Sequence, residues 1–182
     1  MAFRVLYDAN AIFGSLQRSI LVRAGIHQAR FNLRVLLTEE ILDEMVHAVG
    51  TRYPDIQPEH RASLKAAIIR AIPDCLITGY DETAVASNIR DPGDRHVVAA
   101  AVHTNAQLIV TQDRDFSETA LAPHGLAAQS PDDFLTDLFD VNQSTAKELV
   151  GEEASARGIA FDALVDLLEE RGLIRFAQHL RR

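Results

Sequence analysis

The chain has 182 residues, of which 47% are hydrophobic and only 6% aromatic, so we expect one domain with an aliphatic core, or one domain with a small addition. The single cysteine, Cys75, excludes an internal disulfide and any cysteine-based zinc cluster. The formal net charge of −8 argues against passive adhesion to nucleic acid.

The start of the sequence predicts a protein of the cytoplasm. Arg4 follows after two apolar residues, which leaves no core for a signal peptide. The longest apolar run, 97–102, is far shorter than a membrane span. An unpaired thiol also suits a reducing compartment, so we expect a cytoplasmic protein without a membrane anchor.

Short apolar runs alternate with amphipathic stretches over the first 140 residues. Strands are predicted at 3–7, 34–37, 75–77 and 107–110, and 125–128 has the pattern of a fifth. Helices are predicted at 10–24 and from Thr38, Pro58, Pro92 and Ser130 onward. This alternation predicts a three-layer α/β/α fold with a central, mostly parallel sheet of four to five strands.

The pattern changes after about residue 140. Three helical stretches are predicted at 144–157, 160–171 and 173–182, separated by Gly158 and Gly172, and no strand signal remains. We therefore expect a main domain over residues 1–140 and a C-terminal helical extension over residues 141–182, which packs on the main domain or on a partner.

Acidic residues follow the predicted strands or occupy early positions in the predicted helices. Asp8 follows the first strand, Asp113 and Asp115 follow the fourth, and Asp94 lies in the first turn of a helix. Glu44 lies on the polar flank of the helix that begins after Thr38. Because ligands of an open parallel sheet bind beyond the carboxyl ends of its strands, we expect these acids to meet in one pocket.

Converging carboxylates raise each other's pKa values, and a cation between them relieves this repulsion. An all-oxygen donor set favours Mg²⁺ or Mn²⁺ over zinc. Such an ion can activate water, neutralise charge on a phosphate and stabilise a departing oxygen. The acids therefore predict a metal site suited to phosphodiester hydrolysis.

Four motifs occur in order within residues 3–135: Asp8-Ala9-Asn10, the segment 38–45 that contains Glu44, Asp91-x-x-Asp94 followed by Val97–Ala101, and Thr111-Gln112-Asp113-Arg114-Asp115-Phe116. Together they resemble the signatures of PIN-domain nucleases, and more narrowly those of the VapC toxins of bacterial toxin–antitoxin modules. The order of the four motifs is more specific than any one of them.

The resemblance implies an Mg²⁺- or Mn²⁺-dependent endoribonuclease that cleaves single-stranded or looped RNA. It implies a homodimer, held inactive by a cognate antitoxin that inserts a segment into the acidic groove. Asp115 would assist or replace Asp113, Asn10 and Thr111 would orient the carboxylates through hydrogen bonds, and Arg114 is a candidate phosphate contact. The catalytic and metal-binding acids that it implies are Asp8, Glu44, Asp94 and Asp113.

Simpler structural roles stay open for several of these residues. Asp91 is expected to cap the helix at Pro92, Asp94 can be a first-turn acid only, and Glu44 taken alone is typical of a solvated helix face. His96 and His103 are expected to be surface or half-buried side chains and not metal ligands.

The basic residues near the C-terminus have two interpretations. A solvated helix face is the simpler account, and the alternative is an edge that guides RNA phosphates or meets an acidic partner surface. The residues concerned are Arg171, Arg175, Arg181 and Arg182.

Three other functions remain as alternatives to a toxin. The first is an RNA-processing nuclease without an antitoxin, and the second is a non-catalytic binding module with a PIN-like fold. A phosphatase with an aspartyl nucleophile is disfavoured, because it normally needs a second aspartate where Asn10 stands.

Overall fold

The computed structural model describes residues 2–85, 89 and 91–182. Within that part of the chain, five strands form one sheet in the order β3-β2-β1-β4-β5, and every neighbouring pair is parallel. The sheet, with helices around it, confirms the predicted α/β fold. The strands are β1 (Phe3–Tyr7), β2 (Leu33–Thr38), β3 (Leu76–Ile77), β4 (Leu108–Val110) and β5 (Ala127–Gln129).

Apart from the short α5, which was not predicted, the main helices follow the predicted order. None in the described ranges is long and apolar enough to cross a membrane. They are α1 (Ser15–Ile26), α2 (Glu39–Arg52), α3 (Pro58–Ala71), α4 (Arg95–His103), α5 (Glu118–Leu121), α6 (Pro131–Val141), α7 (Gln143–Arg157), α8 (Phe161–Glu170) and α9 (Ile174–Leu180).

The first predicted helix was wrong at its start. Residues 9–13 form turns, and α1 begins only at Ser15. The side chain of Asn10 accepts a hydrogen bond from the backbone N–H of Gln112 at 2.7 Å, so this segment is held by the loop after β4. That contact joins positions about a hundred residues apart and replaces the local helical pattern.

The order of the strands places the ends of β1, β2 and β4 side by side. β1 lies in the centre, and its residues Val5, Leu6 and Tyr7 are fully buried. The backbone N–H of Asp8 donates to Val110 at 3.0 Å, so the pairing of β1 with β4 continues one residue beyond β1. Thr38, at the end of β2, caps α2 by accepting from the N–H of Ile41.

The C-terminal helices are packed onto the rest of the chain. Buried residues of all three, including Leu149, Leu164 and Phe176, belong to the same hydrophobic cluster as the strands. Arg23 of α1 forms salt bridges with Glu152 and Glu153 of α7 at 3.0 and 2.8 Å. The division into a domain of residues 1–140 and an extension of residues 141–182 stays a prediction.

Asp132 of α6 supports the start of α9. Its carboxylate accepts hydrogen bonds from the backbone N–H groups of Arg175 and Phe176 at 3.0 and 2.9 Å. Asp132→Ala should lower the free energy of unfolding by about 1 kcal/mol, because those N–H groups lose a charged acceptor. Urea unfolding measures the loss. Asp140→Ala, at an exposed acid of the same helix, is the control, and equal effects of the two substitutions would contradict the capping role.

Candidate functional site

Asp8 is a buried carboxylate held in one orientation by hydrogen bonds. Its side chain is only 5% exposed. One oxygen accepts from the N–H of Ala9 at 2.7 Å, and the other accepts from the Asn10 amide at 2.6 Å and from the Thr111 hydroxyl at 2.7 Å. Burial raises the pKa of the Asp8 carboxyl, and the hydrogen bonds from Thr111 and Ala9 oppose that rise.

The loop after β4 continues this hydrogen-bond network. The hydroxyl oxygen of Thr111 accepts from the N–H of Asp113 at 3.0 Å, and the carboxylate of Asp113 accepts from the N–H of Asp115 at 2.8 Å. Asn10 therefore contacts both Asp8 and the β4 loop, and Thr111 does the same from the other side. Asn10 and Thr111 thus both donate hydrogen bonds to Asp8, and their role as supporting residues of a catalytic site stays a prediction.

Three of the predicted acids line one open cavity of about 670 Å³, namely Asp8, Glu44 and Asp94. Asp113 lines a second cavity of about 390 Å³, and Gln112 lines both. The structure thus brings three acids together and places Asp113 beside them in an adjoining space.

Two further residues of the last motif lie near Asp113. Arg114 is exposed and lines the second cavity together with Asp113. Asp115 is half-buried and lines neither of these two cavities. Arg114 therefore stays a predicted phosphate contact, and Asp115 a predicted assisting ligand.

Neighbouring acids contribute to a raised pKa at Asp94. Burial, followed by the charges of Asp113, Asp8 and Asp91, raises the pKa of Asp94 to about 6. Asp91 itself caps the turn Pro92–Asp94 by accepting from the N–H of Gly93 at 2.8 Å, which is the structural role expected for it. The acids are therefore close enough for their repulsion to matter.

His96 is a residue of this region that sequence reasoning missed. The expectation of a surface or half-buried side chain was wrong, because His96 is 2% exposed, whereas His103 on the same helix is exposed. Its Nε2 lies 3.1 Å from a carboxylate oxygen of Glu44, and its Nδ1 lies 3.5 Å from one of Glu40.

The imidazole of His96 therefore positions Glu44. Burial lowers the pKa of His96, but the hydrogen bond to Glu44 and the charges of Glu44 and Glu40 outweigh burial and raise it. Glu44 is thus more than a solvated acid on a helix face. The signal in the sequence was a histidine on the apolar side of α4, two residues after Asp94, and its partner on α2 has no fixed spacing from it.

The donor set of the first cavity fits a hard divalent cation. It offers carboxylate oxygens and no sulfur. The pKa of Asp94 is raised by burial and by the charges of its acidic neighbours, and a cation would relieve the repulsion from those neighbours. Among the described residues, however, no group of three or more His, Cys, Asp or Glu side chains is arranged to hold a metal ion. Metal binding is therefore a proposal that rests on the donor chemistry.

Comparison with known proteins identifies the family. Residues 4–115, more than half of the chain, match the model of the PIN domain, and this range contains every acid of the candidate site described above. The chain belongs to the PIN-domain family. No solved structure was found to match it.

One curated relative of this PIN-domain protein is named "Putative ribonuclease VapC50", from Mycobacterium tuberculosis (strain ATCC 25618 / H37Rv). The two chains are 40% identical over 73 residues, which are 40% of this chain and 43% of the relative. The match thus spans less than half of the relative's length, and it supports a similarity to VapC-type proteins.

Asp94→Asn should stabilise the metal-free protein at neutral pH. The folded-state pKa of about 6 lies above the usual 3.8, so the folded state binds the proton more tightly and stability falls as the pH rises through this window. The neutral amide removes this loss, which solvent limits to about 1 kcal/mol at a partly exposed side chain.

Urea unfolding with a chelator, at neutral pH and below pH about 3, measures the effect of Asp94→Asn. The gain should vanish at the acidic pH, where Asp94 is protonated in both states. Asp55→Asn, at an exposed loop acid, is the control. An Asp94→Asn variant no more stable than the wild type at neutral pH would contradict the repulsion described here.

Proposed function

We propose that this PIN-domain protein is a metal-dependent endoribonuclease. The observation that carries the proposal is the cavity lined by Asp8, Glu44 and Asp94, three carboxylates that come from three separate segments of the chain. Membership in the PIN-domain family and similarity to a protein named as a ribonuclease support RNA as the substrate. Asp113, in the adjoining cavity, would complete the set of acids.

The carboxylates of these four acids would hold Mg²⁺ or Mn²⁺, hard cations that prefer oxygen ligands. When bound, such an ion supplies charge neutralisation and Lewis acidity at a phosphodiester. Asp8 is suited to a fixed ligand because three hydrogen bonds hold its carboxylate. Asp94, with a pKa of about 6, is mostly ionised at neutral pH and loses its charge below that value.

The other residues act by position. Asn10 and Thr111 orient the carboxylate of Asp8, and His96 orients that of Glu44. Arg114, which is exposed and lines a cavity together with Asp113, would contact a phosphate of the substrate. The chain's own side chains thus fix two of the acids before any ligand arrives.

Asp8→Asn should reduce RNA cleavage by more than about 100-fold while leaving the protein folded, because it removes a ligand together with a source of repulsion. The assay is cleavage of total RNA by the purified protein, freed of any copurifying partner, in Mg²⁺ with and without a chelator. Asp140→Asn is the control, an exposed acid of α6. Wild-type cleavage by the Asp8→Asn variant would remove Asp8 from the assignment, and cleavage that persists in chelator would contradict the need for metal.

His96→Gln tests the positioning of Glu44. The amide of glutamine can donate to Glu44 but cannot carry the positive charge of an imidazolium between Glu40 and Glu44, so we expect kcat to fall about tenfold with little change in KM. His103→Gln, at the exposed histidine of the same helix, is the matched control. A lower melting temperature with an unchanged kcat would show that His96 contributes only to stability.

We further propose a toxin role, with a cognate antitoxin and a homodimeric state in the cytoplasm. This part rests on the resemblance of the motifs and on the VapC-type relative. Growth arrest on expression of the chain alone, relieved by the Asp8→Asn substitution or by the product of an adjacent gene, would support it. Cleavage without growth arrest would favour the RNA-processing alternative, and absence of both cleavage and Mn²⁺ binding would favour the binding module.

A further inference from the structure

Two aromatic rings stand beside the acid-lined cavity. Phe13, in the turn after β1, and Tyr53, at the end of α2, have ring centroids 6.5 Å apart and planes inclined by 17°. Both line a cavity of about 220 Å³, which shares Asn10, Phe13 and Gln112 with the cavity of the acids. The aromatic pair is therefore continuous with the proposed cleavage site.

The pair is held in place and accessible from solvent. Tyr53 is 47% exposed, and Phe13 is half-buried. The guanidinium of Arg18 donates to the backbone carbonyls of Ile12 and Phe13 at 3.0 and 2.7 Å, which fixes the turn that carries the Phe13 ring. Aromatic rings fixed in advance can stack a flat ligand at a low entropic cost.

Two arginines flank the rings. The guanidinium of Arg52 lies 5.3 Å from the Tyr53 ring centroid and lines the acid cavity, and Arg171, directly after α8, lines the aromatic cavity. In the described part of the chain no acid pairs with either of them. By contrast, Arg175 is paired with an acid of α6 and Arg181 with two acids of α8. The basic residues near the C-terminus therefore differ in their contacts. Arg175 and Arg181 are paired with acids, whereas the charge of Arg171 is available to bind a ligand.

We propose that Phe13, Tyr53, Arg52 and Arg171 form a subsite for one unpaired nucleotide of single-stranded RNA, next to the scissile phosphate. The base stacks against the aromatic pair, and the flanking phosphates bind the two guanidinium groups. The proposal rests on the ribonuclease function proposed above and gives the C-terminal extension a part in it. Because a base within a duplex is already stacked on both faces, the subsite selects unpaired RNA.

The positive charges of Arg52 and Arg171 are needed for RNA to bind beside the acids. The acids of the adjoining cavity repel phosphates, and the whole chain carries a net charge of −8. Affinity for RNA must therefore come from cations and rings close to the acids. Arg52 and Arg171 supply the cations, and the stack of Phe13 and Tyr53 supplies a contact that every base can make.

RNA binding without cleavage provides the test. Fluorescence anisotropy of a labelled, unstructured RNA oligonucleotide, titrated with the whole protein in chelator, gives the affinity. Tyr53→Ala should weaken binding about tenfold, and Tyr53→Phe should restore it because the ring is kept. A duplex of the same sequence should bind equally to the wild-type and Tyr53→Ala proteins.

The salt dependence tests the arginines. Arg171→Gln should weaken binding and reduce the slope of log affinity against log salt by about 0.7, the loss of one phosphate contact on a single strand. Arg34→Gln removes the same charge from the opposite end of the sheet, at the start of β2, and should leave the affinity and slope unchanged.

Unchanged affinity and slope in both Tyr53→Ala and Arg171→Gln would overturn the subsite. So would unchanged RNA affinity combined with lost binding of a purified protein partner, which would assign the surface to protein recognition. Binding is measured without metal and is therefore independent of catalysis. A wild-type protein that binds RNA through these residues but cleaves no RNA when Mg²⁺ or Mn²⁺ is supplied would refute the proposed catalysis and leave the subsite standing.

Discussion

The hydrogen bond from Thr111 to Asp8 is the contact on which the site depends. A carboxylate that is 5% exposed is unfavourable unless its oxygens are satisfied, and Thr111 provides this from the neighbouring strand end, with Asn10 and Ala9 from its own. The parallel pairing of β1 with β4 brings the two strand ends together, since the backbone of Asp8 still pairs with Val110. Asn10 contacts both Asp8 and the backbone of Gln112, and these contacts hold the segment after β1 in turns. The turn that carries Phe13 and the orientation of the Asp8 carboxylate therefore depend on the same residue.

The electrostatics of the site follow from this arrangement. Asp8 lies at the carboxyl end of the central strand β1. Helix α2 and the turn before α4 bring Glu44 and Asp94 to the same cavity. The two are compensated unequally. Glu44 lies against the imidazole of His96, whereas the pKa of Asp94 is raised to about 6 by burial and by its acidic neighbours. A cation near Asp94 would therefore relieve the repulsion from its acidic neighbours.

The sheet and most of the helices could be predicted because local chemistry determines them. The apolar run before Asp8 and the caps at Thr38 and Ser130 each encode an element within a few residues, and the structure forms β1, α2 and α6 there. The acids could be placed near each other through the rule for parallel strand ends. The position of His96 on the apolar side of α4 pointed to its burial, but its contacts with Glu44 and Glu40 could not be predicted, because they cross an interface between two helices. Contacts of this kind leave no periodic trace in the sequence.

The matched region and the C-terminal helices contribute different residues to the proposed site. The acids lie within residues 4–115, the part shared with the family, and acids alone cannot attract a polyanion. Arg171 lies outside that region, and its position depends on long-range packing: buried Leu164 and Phe176 join the main core, and Asp132 of α6 fixes the start of α9. A mutation in this packing would therefore displace Arg171, a cation of the proposed nucleotide subsite, without changing any acid of the site. Of the residues proposed to bind RNA, Phe13, Tyr53 and Arg52 lie within the matched region and Arg171 lies in the extension. A change in the extension would therefore alter the proposed RNA affinity while the acidic site stays the same.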